Sequence, residues 1–329
     1  MTPLARIIAQ RIRLQGPIPL AAFMADALGH PEHGYYRRSD PFGKAGDFIT
    51  APEVSQMFGE LIGLWCAEVW RLMGSPDPFL LVELGPGRGT LMADALRAAK
   101  VLPGFGDAAA IHLVETSPAL RARQQAALAG REVAWHDGFG EVPAGPMILV
   151  ANEFFDALPV HQFERTPDGW RERLVTLDGD RFVLAVSRDR TPAEVLIPDA
   201  LRRTAPDGAV VEVSPASVST MRAIAERLEE YGGAALIVDY GHAEHGAGET
   251  LQAVRRHRYH HILADPGEAD VTAHVDFAAL AGAKHLVPFH HDPTHSDDDI
   301  DRLISKTIAA VKPAYRVTPG AEGMVFEFE

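Results

Sequence analysis

Apolar residues in the first part of the chain recur every three or four positions, as on the buried face of a helix. Their spacing over residues 4–12 predicts an amphipathic helix that stops at Gly16. A second helix is predicted over 19–28. A long third helix is predicted over 52–70, because it opens with a proline and an acid, which both suit a first helical turn. Residues 29–52, rich in glycine, proline and aromatic residues, predict an ordered loop between them.

From residue 79 the pattern changes to short, continuous apolar runs, which are typical of strands buried on both faces. The predicted strands are 79–82, 111–114, 132–135, 147–150 and 234–238. Helical patterns lie between them, two of them ending near Lys100 and Leu128 and another around 221–231. Strands that alternate with helices predict an α/β fold with a parallel, doubly wound, Rossmann-like sheet.

Residues 160–213 break this rhythm and alternate between apolar and polar positions. The short strands expected there are 171–177, 181–185 and 209–213. We predict an antiparallel insertion beside the sheet, a candidate lid on the substrate side. The chain is accordingly divided into an N-terminal helical cap with a covering loop at 1–75, a sheet domain at 76–283, and a C-terminal segment at 284–329.

Composition narrows the class of protein. Of the 329 residues, 47% are hydrophobic and 23% are charged, the balance of a globular protein with a large buried core. The formal net charge of −14 disfavours nucleic acid and suits a basic peptide or a cationic substrate. The only cysteine, Cys66, lies in an apolar run typical of a core residue. A single cysteine allows no intramolecular disulfide, which indicates a reducing compartment. No apolar run reaches the roughly 18 residues of a membrane span, so we expect a cytoplasmic protein.

A glycine-rich loop, Glu83-Leu-Gly-Pro-Gly-Arg-Gly-Thr90, follows the first predicted sheet strand. Such a loop lets backbone N–H groups approach a ligand closely. The dinucleotide fingerprint is excluded because Thr90 stands at its third glycine position, and a P-loop is excluded because no lysine follows. The remaining pattern, Gly85-x-Gly87-x-Gly89 led by an acid, resembles the first motif of class I methyltransferases. By that resemblance Glu83 holds the amino group of S-adenosylmethionine, while the loop passes beside its sugar and carboxylate; ordinary turn glycines are the alternative.

Two further acids follow the next two predicted strands. Glu115 closes the second strand, at the spacing where an acceptor can bind both ribose hydroxyls of a nucleoside. Asp137 follows the third strand, where adenine lies in this fold, and is a candidate acceptor for the adenine amino group. A simple turn at Asp137 is the alternative.

Three motifs together carry a more specific resemblance. They are Ala151-Asn-Glu-Phe-Phe-Asp-Ala-Leu-Pro159, Gly46-Asp-Phe-Ile-Thr-Ala-Pro-Glu53 and His30-Pro-Glu-His-Gly-Tyr-Tyr36. The chain resembles the MidA-like methyltransferases, the family of the mitochondrial complex I assembly-factor protein arginine methyltransferase, over about residues 5–282. Position 151 carries alanine where that family usually has glycine.

The resemblance implies an S-adenosylmethionine-dependent protein arginine N-methyltransferase that acts on a subunit of a complex I-type respiratory enzyme. It also implies that eukaryotic relatives are mitochondrial. The loop at 46–53 would close over the cofactor, with Gly46, Asp47 and Thr50 as contacts. Glu53 is alternatively only an acid in a first helical turn.

The candidate catalytic residues are Asn152, Glu153 and Asp156, just past the carboxyl edge of the sheet, where ligands bind in open α/β folds. An arginine side chain is always protonated, so carboxylates must hold its guanidinium while one nitrogen faces the sulfonium methyl. Glu153 and Asp156 are expected three apart on a starting helix and so on one face. Asn152 offers a carbonyl acceptor for the substrate or the cofactor. Helix capping is the alternative role for the two acids.

The last segment departs from the family pattern. Residues 284–329 look like the C-terminal piece of a metallo-β-lactamase-fold hydrolase, in which a late histidine completes a metal site. The H-x-H-x-D-H cluster which that site requires is absent from the sequence, so no metal is expected. A helix is predicted over 300–311, and a hairpin between 315–317 and 324–328.

Two rival functions stay open beside arginine methylation. One is a methyltransferase for another amine or another protein residue. The other is an S-adenosylmethionine-binding assembly factor without catalysis, which would not need the second acid pair, Glu153 and Asp156. A homodimer stays open as an alternative to a monomer.

Overall fold

The computed structural model describes residues 1–38 and 50–280, and beyond them only two short strands. In chain order the helices are α1 (Pro3–Gln15), α2 (Leu20–Gly29), α3 (Tyr35–Arg38), α4 (Ala51–Val54), α5 (Gln56–Leu72), α6 (Thr90–Ala98), α7 (Phe105–Ala108), α8 (Pro118–Ala127), α9 (Asp199–Thr204), α10 (Pro215–Tyr231) and α11 (Phe277–Leu280). The strands are β1 (Ile18–Pro19), β2 (Phe79–Leu84), β3 (Ala109–Val114), β4 (Val133–His136), β5 (Met147–Asn152), β6 (His161–Thr166), β7 (Gly169–Asp178), β8 (Arg181–Val186), β9 (Val210–Val213), β10 (Gly233–Val238), β11 (Gly241–His242), β12 (Gln252–Arg255), β13 (Arg258–His260), β14 (Asp270–Thr272), β15 (Val275–Asp276), β16 (His285–Leu286) and β17 (Arg316–Val317).

Five parallel strands form the central sheet in the order β10-β5-β2-β3-β4. In its register, Val82 of β2 lies between Leu149 of β5 and His112 of β3. The chain first runs outward from β2 to β4, and then returns to the other side of β2 with β5 and β10. The predicted doubly wound, Rossmann-like sheet is therefore confirmed. The reversal between β2 and β5 is a topological switch point, where open α/β sheets bind their ligands.

The continuous apolar run of β2 is explained by its burial on both faces. Leu81 packs in a cluster with Ile62 of α5 and Leu91 of α6. Its neighbour Val82 packs on the opposite face, in a cluster with Ile224 of α10. Because successive side chains of a strand point to opposite faces, a strand covered by helices on both sides is apolar along its length, and in β2 the exception is Glu83 near the carboxyl end.

The strands β6 to β9 form an antiparallel sheet, as predicted for residues 160–213. This sheet gains a further strand from the N-terminal cap, because Ile18 of β1 pairs with Val175 of β7. Leu4 and Phe23 of the cap share one buried cluster with Val175. The insertion thus packs on the cap, and a two-residue strand such as β1 is too short to show in the sequence pattern.

A small sheet in the order β13-β12-β14 was not expected from the sequence. Val254 pairs with Asp270, and Gln252 pairs with Thr272. Residues two apart on a strand face the same side, so these four side chains share one face. We call this face the β12–β14 wall.

The predicted helix over 52–70 is wrong in one respect, because it is two helices. Ser55 adopts an extended backbone with φ −143° and ψ 119°, and it separates α4 from α5. Serine is favoured immediately before a helix, so Ser55 is a natural starting point for α5. The break lets α4 lie at a different angle from α5, toward the glycine loop.

Little of the C-terminal segment belongs to the described residues. Of the predicted hairpin, a strand is present at Arg316–Val317, and it pairs in parallel with His285–Leu286. The other predicted hairpin strand at 324–328 and the predicted helix over 300–311 lie outside the described residues. Among the helices that the structure does describe, none is long and apolar enough to cross a membrane.

Candidate active site

A cavity of about 520 Å³ opens at the carboxyl edge of the central sheet, beside the switch point. This volume lies within the range of roughly 300–1,000 Å³ that small-molecule sites show. The predicted site residues that line it are Thr50, Glu83, Gly85, Gly87, Glu115, Asp137, Asn152, Glu153 and Asp156. Gly89 is not part of this lining, and the predicted cofactor contacts Gly46 and Asp47 lie outside the described residues.

The glycine loop needs glycine for its backbone. Gly85 and Gly87 have φ angles of +61° and +52°, in the left-handed region that other residues avoid. Gly85 is also crowded, since an added Cβ would lie 2.9 Å from the Phe154 ring. The loop therefore presents bare backbone to the cavity at the start of α6, a geometry suited to a carboxylate or a sugar.

Glu83 is the carboxyl group that best fits a cationic ligand. It is 3% exposed, and burial raises its pKa from 4.5 to about 8. Within the described part of the chain, its Oε2 has no hydrogen-bond partner, and the same holds for Oδ1 of Asn152. Buried polar oxygens are costly to leave unpaired, and the ammonium group of a bound methionine moiety would satisfy the Glu83 oxygen. The residues present therefore fit S-adenosylmethionine.

Glu115 follows β3, at the position predicted to bind a ribose. Its Oε1 accepts from the Ser117 N–H at 2.7 Å, and its Oε2 accepts from Gln124 Nε2 at 3.3 Å. Burial raises the pKa of this carboxyl, while those hydrogen bonds lower it. A carboxylate has about four acceptor sites, so the Glu115 carboxylate retains capacity for a ribose hydroxyl.

Gln124 of α8 connects three parts of the cofactor region. Its Nε2 donates to the Gly87 carbonyl at 2.7 Å as well as to Glu115, and its Oε1 accepts from Trp135 Nε1 at 2.8 Å. Gly89 packs against it, since an added Cβ at Gly89 would lie 3.2 Å from the Gln124 Cα. Gly89, with φ +83°, thus stabilises the glycine loop by packing against Gln124 of α8, and it does not line the cavity.

Asp137 lines the cavity, but it already has a partner. Its Oδ1 accepts from Arg121 Nη2 at 2.6 Å, and its side chain is 73% exposed. Its backbone N–H donates to Glu141 Oε2 at 2.8 Å. These contacts suit the turn that was the alternative interpretation, and a role toward adenine stays a prediction.

The short helix α4 approaches the glycine loop through Glu53. The Glu53 carboxylate accepts from Thr90 Oγ1 at 2.6 Å and from Arg88 Nη1 at 3.2 Å. Thr50 precedes α4 and is 8% exposed at the cavity. Glu53 is therefore more than an acid in a first turn, because it joins the segment before α5 to the loop that follows β2.

The prediction that Glu153 and Asp156 share a helix face is wrong. The chain turns after Asn152 without forming a helix, and Glu153 has a φ of +49°. Both side chains still line the cavity, with Asp156 buried at 5% exposure and Glu153 half-buried. The two acids are brought together by a tight turn.

Asp239, immediately after β10, is the physical reason for that turn. Its Oδ2 accepts from three successive backbone N–H groups, those of Phe154 (3.1 Å), Phe155 (2.9 Å) and Asp156 (3.2 Å). Its Oδ1 accepts from the Tyr240 N–H at 2.9 Å. A carboxylate that gathers successive N–H groups favours a concave turn, and it replaces the helix that the sequence suggested.

Carboxyl groups cluster at this end of the cavity. Burial raises the pKa of Asp156 well above its usual value, and the neighbouring carboxyls of Asp239, Asp270 and Glu153 raise it further. The Tyr240 hydroxyl hydrogen-bonds to Glu153, and burial together with that carboxylate raises the pKa of Tyr240. The cluster is therefore a place where a cation would be strongly stabilised.

Several residues of the site were not predicted from the sequence. For Asp239 and Tyr240 a signal was available, since they follow a predicted strand at the carboxyl edge beside β5. Tyr36 belongs to a quoted motif, but no role was assigned to it. Gln124 looks like a surface residue of an amphipathic helix, and Asp270 depends on a non-local sheet, so neither had a local signal.

A family model of S-adenosyl-L-methionine-dependent methyltransferases matches residues 61–288. Among curated proteins, the mitochondrial protein arginine methyltransferase NDUFAF7 of Danio rerio is 40% identical over 301 residues, which cover 83% of this chain and 70% of the relative. NDUFAF7 of Homo sapiens is 39% identical over 312 residues, covering 85% of this chain and 68% of the relative.

A solved structure from Burkholderia thailandensis, bound to S-adenosyl-homocysteine, superimposes with a TM-score of 0.72. It is 30% identical and covers 84% of this chain and 74% of that chain. The resemblance to the methyltransferase family and S-adenosylmethionine as cofactor are thereby confirmed. None of these matches supports the likeness of 284–329 to a metallo-β-lactamase fold, and the mitochondrial names of the relatives lend no support to the cytoplasmic prediction.

Three findings agree. The glycine loop is led by a buried acid, a second acid follows the next strand, and the matches cover most of the chain. The chain belongs to this family of S-adenosylmethionine-dependent methyltransferases.

Proposed function

We propose that this methyltransferase transfers the methyl group to an arginine side chain of a protein. The observation that carries the proposal is the pair of carboxyl groups, Glu153 and Asp156, at one end of the cavity that also holds Glu83 and the glycine loop. The curated relatives, named protein arginine methyltransferases, support the same acceptor.

The charge around the cavity suits two cations. Its described basic side chains are Arg37 and Arg88, and both have partners, since Arg37 donates to the Thr116 carbonyl and Arg88 pairs with Glu53. The acids Glu83, Glu153 and Asp156 line the same cavity. Glu83 holds the ammonium end of the cofactor, and the other pair holds a guanidinium.

The protein contributes to the reaction in two ways: it positions the acceptor guanidinium, and it accepts a proton from it. S-adenosylmethionine supplies a methyl group on a positively charged sulfur, so that its C–S bond breaks with the electron pair returning to sulfur as the new C–N bond forms. Glu153 and Asp156 orient the planar guanidinium so that one nitrogen points along that bond, and most of the rate comes from this alignment. The nitrogen gives up one proton, which passes to Glu153, whose half-exposed carboxyl can release it to water.

The acceptor protein is proposed from the resemblance as a subunit of a complex I-type respiratory enzyme. The net charge of −14 supports a basic segment of such a subunit as the part that docks. We also propose a cytoplasmic location for this chain. The expectation that eukaryotic relatives are mitochondrial is confirmed by the names of those relatives.

The test is methyl transfer from radiolabelled S-adenosylmethionine to a protein extract from cells that lack the gene. The extract is then hydrolysed, and the labelled amino acid is identified by mass spectrometry. We expect label in methylarginine. Label in a different amino acid would identify the methyltransferase for another residue. The absence of label, with cofactor binding intact by calorimetry, would identify a binding factor without catalysis.

A further inference from the structure

We propose that the β12–β14 wall, through Asp270 held by Tyr36, is the second side of the guanidinium pocket and makes the site select arginine. This inference rests on the proposed arginine methylation and extends it to residues outside the turn after β5. Asp270 and Tyr36 line the same cavity as Glu153 and Asp156.

The geometry joins three distant parts of the chain. The Tyr36 hydroxyl, on α3 of the cap, donates to Asp270 Oδ1 at 2.7 Å. The backbone beside Asp270 is attached to the turn after β5, because the Ala273 N–H donates to the Asp156 carbonyl at 2.9 Å. Asp270 is thus fixed on one side by the cap and on the other by the turn that carries Asp156.

The wall presents three polar side chains and Val254 to the cavity. Thr272 and Gln252 lie beside Asp270 on the shared face of β12 and β14, and all three line the cavity. Asp270 is 7% exposed. In the cavity lining, the Asp270 carboxyl lies where it can accept from a cationic ligand as well as from Tyr36.

An independent feature of the cavity indicates a ligand. Glu83, 3% exposed, directs an oxygen into this cavity that has no partner among the described residues. The cofactor's methionine end is therefore placed at β2, and the neighbouring carboxyl groups are left for the acceptor. The pKa of Tyr36 agrees with the closeness of these groups. Burial of Tyr36 raises its pKa most, and the carboxyls of Asp270 and Asp156 raise it further.

The arrangement suits a guanidinium better than an ammonium. A guanidinium has five N–H donors in one plane, and carboxylates at several points around that plane can be met at once. Glu153 and Asp156 approach from the turn, and Asp270 approaches from the wall. Tyr36 fixes the orientation of the Asp270 carboxyl plane. An ammonium is a compact charge that cannot reach acceptors spread in this way.

Binding of two blocked tripeptides tests the inference, in the full-length protein saturated with S-adenosyl-homocysteine. One tripeptide is Gly-Arg-Gly, and the other carries citrulline, the uncharged isostere of arginine. We expect the wild type to prefer arginine. In Asp270→Asn the Kd of the arginine peptide should rise about 10- to 100-fold, with the Kd of the citrulline peptide unchanged. Tyr36→Phe should raise the arginine Kd by a smaller factor.

Matched controls are Asp207→Asn and Tyr259→Phe, which change exposed residues outside the cavity lining. Both should bind the arginine peptide as the wild type does. Arginine binding unchanged in Asp270→Asn, with discrimination against citrulline retained, would overturn the inference and leave the proposed function standing. A wild type that binds S-adenosyl-homocysteine but prefers neither peptide would overturn both. If Asp270→Asn fails to bind S-adenosyl-homocysteine, the Kd of the arginine peptide in Tyr36→Phe becomes the test. A raised Kd supports the inference, and an unchanged Kd overturns it.

Discussion

At the scale of single residues, the carboxyl groups around the cavity are held in different environments. Glu83 is buried with an oxygen that the described residues leave unpaired, and its pKa is about 8. Glu115 is buried too, but it accepts hydrogen bonds that favour its ionised form. Asp239 gathers backbone N–H groups, although burial still raises its pKa to about 7. We propose that Glu83 is a cation site and Glu115 a sugar acceptor, whereas the carboxyl of Asp239 stabilises the turn after β5.

Glu153→Gln tests the acceptor side of the site. The amide keeps the shape but removes the charge that orients the guanidinium. A charge-assisted hydrogen bond contributes roughly 1.5–3 kcal/mol, so methyl transfer should slow by about 10- to 150-fold. The rate is measured with labelled cofactor and the arginine tripeptide, and the exposed Glu229→Gln is the control. Cofactor affinity should barely change, and its loss in Glu153→Gln would reassign Glu153 to the cofactor.

Glu83 should make the free protein less stable as the pH rises. Its folded pKa of about 8 exceeds the ordinary 4.5, so the folded protein binds this proton more tightly than the unfolded chain does. The stabilisation is fully present below the unfolded pKa and is lost as the pH rises through the folded one. Without cofactor, the Tm of the wild type should therefore fall more steeply than that of Glu83→Gln, as measured by calorimetry. Parallel profiles for the two proteins would contradict this.

At the scale of secondary structure, the turn after β5 depends on one side chain, that of Asp239, which follows the neighbouring strand β10. Asp239→Asn leaves a single acceptor oxygen and adds N–H groups that face other N–H groups. At pH 8 we expect the free energy of unfolding to fall by about 1–3 kcal/mol. Urea denaturation measures it, with Asp207→Asn as the exposed control. A variant as stable as the wild type would show that the turn holds without this anion.

The central sheet was predictable because each of its strands produces a pattern in the local sequence. Each is a short apolar run between helices, and Phe79–Leu84 is buried at every position. The residues at its carboxyl edge could be found for the same reason, as with Glu83 and Glu115. The turn at Glu153 was mispredicted, since its shape depends on Asp239 from another strand. The β12–β14 wall gave no signal, because three short strands have no period long enough to read.

At the scale of the whole molecule, the cavity is built from the cap, the central sheet and the β12–β14 wall. A ligand that touches all three should stabilise the whole fold. At a concentration of 100 times its Kd, S-adenosylmethionine should add about 2.7 kcal/mol to the free energy of unfolding. NAD and ATP should add nothing, since the glycine loop lacks their fingerprints.

Glu115→Ala provides the matched variant for that measurement. Loss of the ribose acceptor should weaken S-adenosylmethionine binding by about 1–3 kcal/mol and reduce the thermal shift accordingly. The control is Glu229→Ala on the exposed side of α10. A full thermal shift in Glu115→Ala would remove Glu115 from the cofactor site, and an equal shift of the wild type with NAD would contradict the specificity.

The hydrogen bond between Tyr36 and Asp270 spans 234 positions of the chain, and the Thr2 hydroxyl reaches the Pro266 carbonyl across 264. During synthesis the cap leaves the ribosome long before the strand β14, which completes the cavity. The nascent chain therefore carries Glu83 and the glycine loop without a finished pocket until β12 and β14 have been made. Contacts this distant along the chain slow folding. The acceptor pocket that we propose is complete only once the wall has joined the cap, so we expect arginine to be bound only after this contact has formed.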